Sequence, residues 1–260
     1  MSTQVAPVRD KKALLAKRDE ILQTVAEVGD QIKALAPRGA SPELYVASLR
    51  LYFATHPELL SCTPASIVQG ILRVAQTGLD LGVSCDLLPF KGHVQFNVRY
   101  NGIVELALAA GTRAVGADVV REGDEFEMRK GIGAVLRHVP SGNLKAKITG
   151  AYAIAEIKPG SYVIEYVSRA QIEERKQKYS RTWKNTSLEE IPWYGRKTAI
   201  RTLAPYLPKN QRLAAALQFA AETEDELVHG EPVIPATIDD PDELYDPEKY
   251  GDAFRDDEGV

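Results

Sequence analysis

The chain is poor in the residues that carry most redox and metal chemistry. Its 260 residues include two cysteines, Cys62 and Cys85, and four histidines. Two thiols cannot build a disulfide scaffold or a four-cysteine zinc site, so both read as small buried hydrophobes. His56, His93, His138 and His229 lie far apart, with no metal-ligand spacing to one another or to a cysteine. No GxxxxGK[ST] loop occurs, which excludes that route to ATP hydrolysis. Gly131-Ile132-Gly133 is a lone GxG in a strand-turn-strand pattern, without the helix a dinucleotide site needs. No apolar run nears the roughly 18 residues of a membrane helix, and the first twelve residues contain no secretory apolar stretch. A cytosolic protein with no membrane contact and no cofactor is expected. The acids Glu122, Asp124, Glu125 and Glu127 could hold a divalent metal in a nuclease. They fall at a hairpin turn, where a solvated loop is the ordinary reading, and no catalytic residue is assigned.

What is present is an uneven distribution of charge. Residues 221–260 hold 15 acids against Lys249 and Arg255, a net −13, while the first 220 residues carry 30 bases and 21 acids, a net +9. A basic body with an acidic tail points to a polyanion partner, nucleic acid foremost. A tail that only solubilises is the plainer alternative. Pro232, Pro235, Pro241 and Pro247 among the tail's acids predict disorder over 223–260.

Periodicity divides the rest. Leu14, Ile21, Val28 and Leu35 recur every seventh residue, with Val25 and Ile32 beside them, predicting one long helix over 10–36. Its narrow seam suits either the protein's own core or a neighbouring subunit, and residues 1–37 are expected as an assembly helix. Ser41-Pro42 and Thr63-Pro64 open two further helices, the second ending at Gly78. Strands are expected at 94–98, preceded by Leu87–Phe90 across the Lys91-Gly92-His93 turn, and at 114–120, 125–130, 134–139, 147–157 and 162–167. Tight turns between consecutive strands predict an antiparallel sheet with packed helices, an α+β domain over 38–222. Helices follow from the capping box Ser168–Gln171, over 192–207, and over 210–222.

Two features suit binding. On the strand at 94–98, Gln95, Asn97 and Arg99 alternate with Val94, Phe96 and Val98, and Tyr100 and Asn101 follow. Amides and a guanidinium in a row can contact phosphates and base edges without sequence preference, and Lys91 at the adjoining turn adds a charge. In the helix over 192–207, Tyr194, Lys197, Thr198 and Arg201 share one face, with Arg196 at its edge. A tyrosine beside cations suits an anionic strand with stackable bases. A solvated sheet face and a solvated basic helix are the alternatives. Arg175, Lys176, Lys178, Arg181 and Lys184 surround Tyr179 and Trp183 in an expected loop.

Several runs together resemble one family. They are Ala75-Gln76-Thr77-Gly78-Leu79-Asp80-Leu81-Gly82, Leu88-Pro89-Phe90 leading to Val94-Gln95-Phe96, and Tyr100-Asn101-Gly102 with Leu106-Ala107 and Gly111. Trp193-Tyr194-Gly195-Arg196-Lys197-Thr198-Ala199-Ile200-Arg201 and Tyr206-Leu207-Pro208 complete the series. In this order and spacing they resemble the RecT family of phage and prophage annealing recombinases. The likeness spans roughly residues 40–220. The chain departs from the family pattern at Asn101, where Lys or Arg is common, and at Gly195-Arg196, where Ala-Lys is frequent. The resemblance implies ATP-independent binding of single-stranded DNA and annealing of complementary strands in homologous recombination. It implies rings or helical filaments of the protein, an annealed duplex intermediate, a phage exonuclease and a host single-strand-binding protein as partners, and the cytoplasm of a bacterial host as the place of work. A non-annealing single-strand-binding protein is the alternative that composition and charge do not separate from it.

Overall fold

A computed structural model describes residues 8–180 and 182–229, and the chain divides at Val98/Arg99 into two units. The acidic segment expected to be disordered lies outside the described residues from position 230 onward.

The first unit is helical, with one hairpin. The expected single helix over 10–36 is instead two, α1 (Val8–Glu27) and α2 (Gly29–Leu35), separated at Val28, whose φ/ψ of −92°/20° leaves the helical ladder. Gly29 just after the break has low helix propensity, which places the interruption there. α1 lies against α3 (Pro42–Thr55) and α4 (Pro64–Thr77), and α2 against both as well. Ile21, Leu22, Val25 and Ile32 are buried with Leu49, Phe53, Ile67 and Ile71 in this unit's core, whereas Leu35 is exposed. α3 and α4 start where expected, although Ser41 opens α3 without a side-chain cap bond. The Thr63 hydroxyl accepts from the Ser66 amide, and Gly78 closes α4 at φ 67°, a left-handed conformation that favours glycine.

Strands β1 (Cys85–Phe90) and β2 (His93–Val98) pair antiparallel through a two-residue turn. Lys91 and Gly92 both have positive φ, 48° and 80°, as a type I′ turn requires. Leu87 faces Phe96 and Pro89 faces Val94 across the pair. A Cβ at Gly70 of α4 would come within 3.0 Å of Leu87 and Val94, so glycine permits this close helix–hairpin approach.

The second unit is α+β. β3 (Ala114–Arg121), β6 (Ile148–Lys158) and β7 (Ser161–Ser168) form an antiparallel sheet in the order β3-β6-β7. β4 (Glu125–Arg129) and β5 (Val135–Val139) form a separate two-stranded sheet, so the single sheet expected becomes three small ones. Ala151, Ala153 and Ala155 line one face of β6. These short side chains admit α7 (Pro192–Leu203), whose Gly195 sits where a Cβ would lie 3.1 Å from Val119 and 3.3 Å from Ala151. The other face carries Tyr152 and Tyr166, against which the β4–β5 hairpin lays Phe126 and His138, with ring centroids 5.5–5.8 Å apart. α5 (Tyr100–Ala109), α6 (Arg169–Tyr179) and α8 (Gln211–His229) complete the unit. The capping box at Ser168 forms in both directions, Ser168 Oγ accepting from the Gln171 amide and Gln171 Oε1 from the Ser168 amide at 2.9 Å. Two boundaries differ from expectation. α6 continues through Arg175–Tyr179, where a loop was expected, and α8 runs seven residues past Glu222, taking three acids, Glu224, Asp225 and Glu226, out of the tail.

Candidate nucleic-acid interface

The β1–β2 hairpin of the first unit carries three of the expected contacts. Lys91 is exposed at the turn, its ammonium 5.5 Å from the Phe90 ring centre. Asn97 is half-buried opposite Asp86, and Gln95 is buried opposite Leu88. The wet face read from strand alternation is therefore only partly wet. Alternation assigns residues to a face of the pleat, but burial depends on what covers that face. Asp86, on the same face, is itself buried and accepts from the Tyr52 hydroxyl at 3.4 Å.

In the second unit, Arg99 is the half-buried residue preceding α5, and Tyr100 and Asn101 are exposed in that helix's first turn. The remaining candidates gather on α7, with different fates. Arg196 and Lys197 are half-buried, and the Lys197 ammonium lies 5.4 Å from the centre of the Tyr194 ring. Tyr194 and Thr198 are buried, the Thr198 hydroxyl donating to the Tyr194 carbonyl at 2.8 Å. Arg201 is 12% exposed and donates through Nη1 to Glu224 Oε1 at 2.9 Å. The open basic face expected over 194–201 is thus narrower, because Tyr194 and Thr198 of the same helical stripe are buried and Arg201 is held by Glu224 of α8.

Around this stripe the fold assembles residues whose proximity no local pattern signalled. Arg175 of α6 donates to the same Glu224 oxygen and lies 5.0 Å from the centre of the Tyr179 ring, with the Lys178 ammonium 5.2 Å from it. Burial pushes the Tyr194 phenol up and the Arg201 guanidinium down from their ordinary pKa values. Trp183 packs edge-on against Trp193 at 5.7 Å and remains 39% exposed. Its loop is pinned by the buried Lys176, which donates to the Thr186 carbonyl at 2.6 Å, and by Glu189. Glu189 accepts from Arg169 at 2.5 Å and from the Ile148 amide at 2.9 Å, and the Arg169 guanidinium holds its carboxyl down to about 2. An exposed indole is a surface on which a base can stack.

The four acids at the β3–β4 turn do not converge. Asp124 accepts from the Ser141 and Arg121 amides at 2.8 and 2.7 Å and contacts His138 Nε2 at 3.0 Å. Glu125 pairs with Arg137, Glu127 with Arg129 and Glu122 with Lys147. Among the described residues, no group of three or more His, Cys, Asp or Glu side chains is placed to hold a metal ion, and no helix is long and apolar enough to cross a membrane.

Comparison with known proteins agrees with the motif series. The model of the RecT family matches residues 47–239, a stretch that contains the α7 stripe, Arg175 and Glu224. Protein RecT of Escherichia coli (strain K12) is 34% identical over 206 residues, covering 73% of this chain and 75% of that protein. This chain belongs to the RecT family.

Proposed function

We propose that the protein binds single-stranded DNA and anneals complementary strands in recombination, without consuming a nucleotide. The observation that carries the reading is the cluster of α6 and α7, in which Arg175, Lys178, Lys197 and Arg201 stand among Tyr179, Tyr194 and Trp193 in a chain of the RecT family. Cations neutralise phosphates and release counterions, while the exposed Trp183 and the half-buried Tyr179 and Trp193 can hold bases without reading them. Lys91, Asn97, Arg99, Tyr100 and Asn101 are candidate contacts by the same chemistry; buried Gln95 and Thr198 fit a supporting role. Assembly into an oligomer belongs to the proposal. The exposed Leu35, Leu44 and Leu51 of the first unit are its candidate apolar contacts, since Ile21, Val25 and Ile32 of the seam are already buried. A phage exonuclease that makes the single strand and the host's single-strand-binding protein are the partners this role calls for.

Lys197→Ala tests the site. The variant is expected to stay folded and to weaken oligonucleotide binding similarly for all base sequences. The slope of log affinity against log salt should fall by about 0.7, the value for one phosphate on a single strand. Anisotropy titrations at several salt concentrations measure it, and an unchanged slope removes Lys197 from the interface. Mixing two complementary oligonucleotides without nucleotide separates annealing from mere strand binding.

A further inference from the structure

The last two turns of α8 are acidic where a helix dipole favours bases. Its first turn has no acid, yet Glu222, Glu224, Asp225 and Glu226 precede the helix end at His229. A tertiary contact offsets this unfavourable placement. Glu224 Oε1 accepts at once from Arg175 Nη2 of α6 and Arg201 Nη1 of α7. One carboxylate between two guanidinium groups leaves the trio with a net positive charge. The trio is not sealed: the side chains of Arg175 and Glu224 are 31% and 24% exposed.

A phosphodiester has the attributes Glu224 supplies, one negative charge and two terminal oxygens at the separation a guanidinium fork recognises. We propose that Arg175 and Arg201 form a binding site for one backbone phosphate of single-stranded DNA, and that Glu224 occupies it in the free protein until DNA takes its place. This rests on reading the α6–α7 cluster as a DNA surface. The exchange keeps the charge of the site unchanged. It releases a carboxylate five residues from a helix end, where local opening is least costly. Glu224 thereby acts as a built-in competitor, and DNA binding is coupled to loosening the end of α8, next to the acidic segment that follows.

Glu224→Gln tests the site, because the amide keeps the shape and one acceptor while removing the charge. The variant should bind an unstructured oligonucleotide about fivefold more tightly in dilute salt, with a salt slope steeper by about 0.7 for one further phosphate. Adding Arg175→Ala to it should abolish that gain. In the wild-type full chain, oligonucleotide should speed amide hydrogen exchange over 222–229 while slowing it in α6 and α7. Wild-type binding with E224Q unchanged or weaker, or protection of 222–229 by DNA, overturns the masking and leaves the annealing reading standing. No binding by either protein overturns both.

Discussion

A protein lacking residues 1–36 is expected to lose its first unit as a folded body. Ile21, Leu22, Val25 and Ile32 are each at most 3% exposed, and α1 and α2 cover α3 and α4. Each buried aliphatic side chain of this size is worth roughly 1.5–3 kcal/mol, so removing four takes away roughly 6–12 kcal/mol. Whole domains are stable by only about 5–15 kcal/mol. The truncated chain should be insoluble, or should lose the cooperative thermal transition of the first unit when followed by circular dichroism. Were the heptad seam mainly a subunit contact, the truncated protein would melt as the full chain does and merely fail to form long assemblies.

Asp124→Ala is the single substitution expected to cost most in the second unit. The Asp124 side chain is 3% exposed and its oxygens take two backbone amides and His138. These hydrogen bonds hold its carboxyl well below the usual carboxylate range, although desolvation pushes the other way. Hydrogen bonds to a charged group contribute roughly 1.5–3 kcal/mol each. Because water entering the vacated space satisfies part of the freed amides, losing the three should cost less than their sum, roughly 3–5 kcal/mol. The midpoint of unfolding should fall on the order of 10 °C. Because the folded-state pKa is depressed, the contribution is present above about pH 4 and declines as the pH falls below the ordinary carboxylate value. Asp124→Asn keeps an acceptor and should lose less. A nuclease that used this carboxylate for metal would respond differently: Asp124→Ala would remain folded and lose magnesium-dependent cleavage.

Local chemistry made much of this fold legible. The Thr63 and Ser168 caps, the Gly78 stop and the Lys91-Gly92 turn are decided within four or five residues, and all appear where the sequence places them. The strands are correct to within one residue at most ends, because alternation is a local signal too. What escaped depends on distant partners. A heptad count runs through Val28 because side chains on either side keep their phase, although the backbone breaks there. The extension of α8 to His229 runs against an acidic, dipole-opposed sequence and is joined to α6 and α7 through Arg175 and Arg201, 49 and 23 residues from Glu224. For the same reason Tyr194, Thr198 and Arg201 share the face that spacing assigns them, yet Tyr194 and Thr198 are buried and Arg201 is held by Glu224 of α8.

The measurement closest to the central claim is the annealing of two complementary oligonucleotides by the full chain with no nucleotide present, followed by fluorescence of labelled strands. The account predicts that duplex forms faster than in buffer alone, that neither ATP nor its absence changes the rate, and that Lys197→Ala slows it most in dilute salt, where the lost phosphate contact counts most. Strands held by the protein but paired no faster than in buffer would contradict the account and leave a single-strand-binding protein in its place.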